Sequence, residues 1–391
     1  MDRRKFAKTA FTAIAGGALV STANARPEQV EAVKPTNKPH ELNPNLQNDL
    51  ADEQIRVIQS KRGYRHQGRK DANGKPLEGK CTSLLLFADV HEVYKHLAVI
   101  RDFYNTHKKY IDDPIHLGDA VSDYYIKPFD LWDVFPRCLN VIGNHDTNTA
   151  RTRYIELSDK EKYDIYFKKY IKDWNVIQPE NAEAEGKCYW YKDYNNDLRV
   201  IGIDSMRVTN IPWALNNDVE SQNKQMAWLK ATLADAIAKK LKVVIATHVP
   251  PTCEGDKVLD CNFSSLDFRT TAGNSNGPLM NKYVEVIDEF IVNGGTFVSW
   301  ICGHHHTDLV GYATHAKQKQ FVIVLECATY PGFDCHHLSE TETASCWTLF
   351  SVESISNIIK LVRFGNNFDH YMRHKGTLCY DFKNHKLISQ Y

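Results

Sequence analysis

Three observations predict an α/β fold built on two packed β-sheets. From residue 81 onward, short β-branched apolar runs alternate with amphipathic stretches, the pattern of strands and helices in turn. Beyond residue 320 the runs are strand-like with few helices between them, so a mixed sheet early in the chain and an antiparallel sheet late in it are expected. Finally, His, Asp and Asn residues gather where five of the predicted strands end, the edge on which open α/β sheets build their sites.

The start of the chain reads as a secretory leader. Residues 1–25 combine Arg3-Arg4-Lys5, an Ala/Gly/Thr-rich apolar stretch from Phe11 to Val20 and a small-residue exit at Ala23-Asn24-Ala25, which predicts cleavage after Ala25. The apolar stretch is well short of the roughly 20 residues that span a bilayer, so no stable membrane anchor is expected. Asp2-Arg3-Arg4-Lys5-Phe6-Ala7-Lys8 resembles the twin-arginine export signal of bacteria, which implies an exported, periplasmic protein. Residues 26–80 are polar and punctuated by Pro27, Pro35, Pro39, Pro44 and Pro76; with one helix expected over 45–61, they read as an N-terminal extension of a main domain over 81–391.

Within that domain the apolar runs predict strands at 83–88, 114–117 and 138–142, with helices at 92–109 and 159–172. Paired strands are expected at 188–191 and 198–204, because Asn195-Asn196-Asp197 carries turn chemistry between them. A helix at 220–239 places Met226, Leu229, Leu233 and Ile237 on one core-facing stripe. Strand 242–247, helix 279–292, strand 296–302 and tail strands near 320–326, 345–352 and 357–364 complete the reading. The long polar loops 205–219 and 251–278 adjoin the proposed site strands and are expected to shape a pocket.

Composition bounds the function. With 391 residues, 42% hydrophobic and 11% aromatic, the chain buries a large core and is not a disordered protein. Loss of the basic leader leaves 44 basic against 47 acidic residues, a near-neutral surface that argues against nucleic acid as a partner. All ten cysteines lie beyond the leader, and an exported chain can pair some of them. Cys253 and Cys261 flank a polar loop and are the first candidates for a bridge, whereas Cys302 and Cys327 sit in apolar runs that suit buried thiols. The chain has no Cys-x-x-Cys, which removes thiolate zinc knuckles and thioredoxin-type redox chemistry.

The chemistry is carried by five motifs in order: Asp89-Val90-His91, Gly118-Asp119, Gly143-Asn144-His145-Asp146, His248, and Gly303-His304-His305-His306. Imidazole and carboxylate ligands on rigid strand ends suit divalent ions that keep a position open for substrate. Asp119, with two oxygens, is the candidate to bridge two ions, and Gly118 before it would let a metal or phosphate approach the backbone. Asn144 offers a neutral carbonyl oxygen that leaves an ion electrophilic. His248 precedes Val249-Pro250-Pro251, which stops the strand and stiffens the loop. His304 and His306 can each reach a metal while His305 points elsewhere. Two carboxylates against two divalent ions leave a formally positive site for a phosphate dianion. A zinc-protease reading of His91-Glu92 fails, since the next histidine, His96, misses the i, i+4 spacing.

With these motifs the chain resembles the calcineurin-like metallophosphoesterases, whose Asp-x-His, Gly-Asp, Gly-Asn-His-(Asp/Glu), His and Gly-His-x-His pattern it matches from Asp89 to His306. The resemblance implies a β-sandwich of two mixed sheets flanked by helices. It implies that Asp89, His91, Asp119 and His306 hold one metal and Asp119, Asn144, His248 and His304 the other; a ligand set of His, Asp and Asn suits Mn, Fe, Zn, Co or Ni, with Mn, Fe or Zn the first candidates. It further implies phosphomonoester or phosphodiester hydrolysis by a metal-bridging hydroxide, with His145 protonating the leaving oxygen and Asp146 orienting its ring. Many members carry an acid three residues after the Gly-Asp carboxylate; here that residue is Ser122, so Asp123 takes no role. The expected partner is a small phosphorylated substrate. An exported, non-catalytic metal- or phosphate-binding protein of the same fold is the alternative, and a proton donor at His145 speaks against it.

Several polar residues have two readings. His116 reads as a core residue. His336-His337, with Tyr330 and Asp334, either line the pocket or sit in an exposed loop, and Lys257 and Arg269 either contact phosphate or are solvated charges.

Overall fold

Strand β3 (Cys81–Phe87) is buried at every position, its apolar run Leu84–Phe87 and the polar Thr82 and Ser83 alike, as in a strand covered on both faces. In this computed structural model the described residues are 65–70, 76–78, 81–91, 94–121, 135, 138–147, 157–205, 219–254, 277–306, 308–325, 328, 345–365 and 377–390. Among the described residues, the hairpin of β1 (Arg65–Lys70) and β2 (Pro76–Glu78) precedes β3; the leader and the helix expected at 45–61 fall outside the described residues. After it come helix α1 (Tyr94–His107), β4 (Asp113–His116) and β5 (Leu139–Asn140).

Helix α2 (Asp159–Tyr166) begins on a reciprocal cap, in which the Ser158 hydroxyl accepts from the Glu161 N–H and the Glu161 carboxylate accepts from the Ser158 N–H. The single helix expected over 159–172 is two: α2 ends at Phe167 and the short α3 (Ile171–Trp174) follows, stopped by left-handed Asn175. Phe167 leaves the helical path to pack edge-on against Trp174, a contact no helical periodicity announces. After the short helix α4 (Ala182–Glu185), β6 (Trp190–Tyr194) and β7 (Leu198–Gly202) form the predicted hairpin. Asn195 and Asn196 both take positive φ, and the Asp197 N–H closes the turn on the Tyr194 carbonyl, the twist that antiparallel neighbours need.

The remaining elements are α5 (Val219–Ala238), β8 (Lys242–Ala246), β9 (Cys253–Glu254), α6 (Gly277–Val292), β10 (Thr296–Cys302), β11 (Leu309–Ala313), β12 (Phe321–Val324), β13 (Cys346–Glu353), β14 (Ile358–Gly365), β15 (Thr377–Asp381) and β16 (Lys386–Gln390). Two seven-stranded mixed sheets result. One runs β6-β7-β8-β10-β12-β11-β9, with β7, β8, β10 and β12 parallel; the other runs β16-β15-β14-β13-β3-β4-β5, with β3, β4 and β5 parallel.

This arrangement corrects one expectation. The tail strands do not make a separate antiparallel sheet: β13 pairs antiparallel with β3, Leu349 opposite Leu85, so the tail extends the sheet that the first strands began. The second sheet comes from the middle of the chain. Strand pairing between residues that far apart is set by buried faces meeting, which local pattern does not encode.

The sheets meet in one apolar core. Trp190 of β6 donates its ring N–H to the Asn140 carbonyl on β5 at 2.8 Å, and Tyr380 of β15 stacks on Phe321 of β12 with centroids 4.0 Å apart. Phe103 of α1 packs on Trp347 and Phe364 of the β13–β14 sheet, while α5 and α6 lie on the other sheet against β8 and β10. Among the described residues no helix is long and apolar enough to cross a membrane. Cys302 is a buried free thiol, as expected; Cys253 is buried, while Cys261 and Cys327 lie outside the described residues.

Candidate metal centre

Each site residue sits just past the C-terminal end of a parallel strand. Asp89 and His91 follow β3, Asp119 follows β4, Asn144 and His145 follow β5, His248 follows β8, and His304 and His306 follow β10. Because β3, β4 and β5 are neighbours in one sheet and β8 and β10 in the other, five strand ends converge on one place. Cross-loop hydrogen bonds lock the convergence: the Asp89 N–H donates to the Gly118 carbonyl, the His91 N–H to the Asp119 carbonyl and the Gly303 N–H to the His248 carbonyl.

The backbone bends sharply there. Asp89, His91, Asp119, His304 and His306 all have φ between 45° and 76°, a region that costs a non-glycine residue about 1–3 kcal/mol. Such strain persists only where surrounding contacts over-determine it, and here it falls on five of the seven predicted ligands.

The motif glycines have steric duties. A Cβ on Gly118 would lie 2.6 Å from Nδ1 of His248, one on Gly143 2.1 Å from Oδ1 of Asp119, and one on Gly303 2.7 Å from Oδ2 of Asp89. Gly118 thus makes room for the imidazole of His248.

Two donor groups form. In the first, Asp89, His91, Asp119 and His306 bring their ligand atoms together: His91 Nε2 lies 3.1 Å from His306 Nε2 and 3.9 Å from Oδ2 of Asp119, and His306 Nε2 lies 3.3 Å from Oδ1 of Asp89. In the second, Asp119, His248 and His304 converge, with Oδ1 of Asn144 at 3.0 Å from His248 Nε2 and 2.8 Å from His304 Nδ1. All seven predicted ligands are thus brought together. His305 belongs to neither group.

Asp119 joins the groups through one atom. Its Oδ1 accepts the His145 N–H at 2.9 Å, leaving Oδ2 at 3.1 Å from His248 Nε2 and 3.9 Å from His91 Nε2. The bridge expected from two oxygens is therefore offered by one. Likewise, the His304 N–H lies 3.0 Å from Oδ2 of Asp89, while Oδ1 faces His306.

Does a cation fit? Asp89 and Asp119 are fully buried, and among the described residues their ion-pair partners are all histidines. His248 Nδ1 lies 2.7 Å from the Leu117 carbonyl, so the ring donates there and turns its Nε2 lone pair toward Asp119 and Asn144. Burial works against charge on this ring, but the Asp119 carboxylate pushes its pKa up to about 9: without an ion, a proton supplies the positive charge the site demands. Burial resists charge on Asp119 too, yet His248 and His145 hold its carboxyl well below the usual range. Burial pulls His91 down to about 3 and His304 well below its usual value, so both present the neutral imidazole that ligation requires. Donor separations near 3–4 Å match ligands sharing an ion at about 2.0–2.2 Å. The residues fit two such ions.

Two further predictions meet the structure differently. His145 stands at the rim, its side chain 26% exposed, with Nε2 3.9 Å from Oδ2 of Asp119 and its ring edge-on to His91. Asp146 is a correction. Expected to orient the His145 ring, its carboxylate instead accepts four backbone N–H groups, from Asp119, Ala120, Val121 and Gly143, at 2.9–3.3 Å. Burial and the nearby negative Asp119 raise its pKa to about 7.

His116 is a core residue as read, fully buried with Nδ1 2.8 Å from Oδ1 of Asn140. Ser122, Asp123, Lys257, Arg269, Tyr330, Asp334, His336, His337 and most of both long loops lie outside the described residues. Sequence reading missed Ser205, whose hydroxyl accepts the Val249 N–H beside His248. It also missed the ion pair at 2.6 Å between Arg363 of β14 and Asp308, two residues after His306. No spacing in the chain links Arg363 to the histidine motif.

Residues 82–308 match the family described as Metallophos, calcineurin-like phosphoesterase, more than half of the chain. No curated protein matches it. Among solved structures the chain is similar to a dimetal phosphatase from Danio rerio, at 13% identity over 73% of this chain and 96% of that one, with a TM-score of 0.47. It is similar to GAP50, the anchor in the inner membrane complex of Plasmodium, at 11% identity over 80% and 88%, TM-score 0.40. A metallophosphoesterase from Sphaerobacter thermophilus is 12% identical over 75% and 92%, TM-score 0.29.

Proposed function

The chain belongs to the calcineurin-like phosphoesterases, a family of metal-dependent phosphoric ester hydrolases, and from that membership we propose that it cleaves a small phosphomonoester or phosphodiester with two metal ions. One observation carries the proposal: two donor groups of different make-up share a single oxygen, Oδ2 of Asp119, at the meeting point of five strand ends. Asp89, His91, Asp119 and His306 would hold one ion, and Asp119, Asn144, His248 and His304 the other. When bound, two such ions supply Lewis acidity that activates water and neutralises charge developing on phosphoryl oxygens.

The protein's own groups do the rest. Asp89, His91, Asp119 and His248 are buried, and low dielectric around them strengthens their charge interactions. In this reading His145, partly exposed and 3.9 Å from the shared oxygen, has the role of handing a proton to a leaving oxygen. Its position is held from the backbone, since its N–H is tied to Oδ1 of Asp119.

Hydrolysis of p-nitrophenyl phosphate and bis(p-nitrophenyl) phosphate by metal-stripped protein, then by protein reloaded with Mn, Fe or Zn, tests this directly. Turnover restored by metal supports the hydrolase and shows the ester class. Silence on both esters, in protein that elemental analysis shows to hold two ions, favours the non-catalytic binding protein. On sequence alone we also propose export to a bacterial periplasm through the twin-arginine-like leader, without a stable membrane anchor and without nucleic acid as partner.

A further inference from the structure

The carboxylate of Asp146 lies beneath the site with no exposure to solvent, and its two oxygens are fully spent. Oδ2 accepts the N–H of Asp119 at 3.0 Å and that of Gly143 at 2.9 Å, and so joins the loop after β4 to the loop after β5. Oδ1 accepts the N–H of Ala120 at 2.9 Å and of Val121 at 3.3 Å. Three successive N–H groups, 119 to 121, converge on one anion, the concave arrangement that backbone uses to bind negative charge, with Asp119 left-handed at φ 58° as its pivot. Here the anion is part of the chain itself.

The clasp is reciprocal. While Asp146 holds the backbone of Asp119, the side chain of Asp119 holds the backbone of His145 through Oδ1. Each loop thus grips the other's main chain with a carboxylate, and the second grip leaves Oδ2 of Asp119 as the oxygen facing both donor groups. Without the first grip, the Asp119 loop loses the acceptor of three successive N–H groups, and the His91 N–H on the Asp119 carbonyl and the His145 N–H on Oδ1 are left to hold its strained φ.

We propose that Asp146 is a positioning residue: by clasping the 119–121 and 143 amides it sets where Oδ2 of Asp119 lies, and so whether one atom serves both ions. The proposal rests on the two-ion reading above. Asparagine at 146 is the discriminating change, because an amide keeps the shape but turns two donors toward N–H groups that need an acceptor.

Manganese is the probe. Asp146→Asn is expected to bind the ions about 10- to 100-fold more weakly, the range for outer-shell partners, with the loss falling on the shared arrangement. The exchange-coupled electron paramagnetic resonance signal of a bridged manganese pair should weaken or vanish, while circular dichroism stays that of the parent. His145→Ala, by contrast, should keep both ions and the coupled signal. A folded Asp146→Asn protein with parental affinity and coupling overturns the proposal, whatever either protein hydrolyses. Should the variant not fold, amide exchange in the metal-free parent decides: Asp119, Ala120 and Gly143 lie outside any strand yet should be protected, and rapid exchange at all three would overturn the clasp. Ester hydrolysis by the parent is scored separately, so a folded, coupled, inactive parent sinks the hydrolase reading and leaves the clasp standing.

Discussion

A methyl group on Gly143 would sit 2.1 Å from Oδ1 of Asp119 and 2.3 Å from its backbone nitrogen. The glycine of one motif is therefore a condition for the carboxylate of another, twenty-four positions earlier in the chain. Gly143→Ala forces the Asp119 loop to move and is expected to cost about 1–3 kcal/mol in stability and about 10- to 100-fold in metal affinity. Gly294→Ala is the contrast: φ is 91° but no atom lies within 4 Å of its added carbon, so about 1–2 kcal/mol of stability is lost and metal binding is unchanged. Calorimetric titration with manganese and urea unfolding of both variants check the pair.

Removing the shared charge should empty both positions together. Asp119→Asn is expected to lose both metal equivalents and at least ~10³-fold in kcat/KM, the scale of several kcal/mol of lost charge stabilisation. His306→Ala should weaken only the group with Asp89 and His91, and His248→Ala only the group with Asn144 and His304. Elemental analysis after dialysis reads this. Equal stoichiometry in all three variants and the parent would contradict the sharing.

For His145 the leaving group is the lever. His145→Ala is expected to keep both metals and to lower kcat on an alkyl phosphate by about 10²- to 10⁴-fold. The loss should be much smaller on a p-nitrophenyl ester, whose leaving oxygen needs little protonation. Equal losses on both substrates would remove the proton-donor role.

Acid should destabilise the metal-free protein through His116. Burial lowers this imidazole to about 4 from an ordinary 6.5. Between those values the unfolded chain takes a proton that the folded one refuses, so the stability present above pH 6.5 is lost as pH falls, by up to ~3 kcal/mol near pH 4. His91, at about 3, acts in the same direction, whereas His248, raised to about 9, adds stability that fades as pH rises through 9. The difference between parent and His116→Gln isolates one ring. Urea midpoints from pH 4 to 7 with chelator present should show a shallower acid loss in the variant, and parallel curves would refute it.

Much of this protein was legible in its residues. Alternating apolar runs placed nearly every strand and helix of the β3-to-β14 span within a few positions, since burial imposes a period of 2 or 3.6 on any sequence that packs. Asn195-Asn196 announced its own turn. The candidate ligands stood out because their chemistry is scarce: His, Asp and Asn after apolar runs are costly unless something holds them. Strands β9, β11, β15 and β16 escape a reading from sequence: β9 is two residues long, and β11, β15 and β16 lack an unbroken apolar run such as Phe321–Val324 of β12.

Sequence alone determined which side chains offer lone pairs to an ion and at which strand ends they stand. Only the tertiary structure decided that the tail strands join β3, that Gly118 makes room for His248, that one oxygen of Asp119 serves two donor groups, and that Asp146 grips the 119–121 backbone instead of the His145 ring. The reason is physical. Donor identity is a property of a residue, but direction and distance arise where loops distant along the chain are pressed together by a shared core, and a carboxylate's partners are whichever N–H groups that packing leaves unpaired beside it.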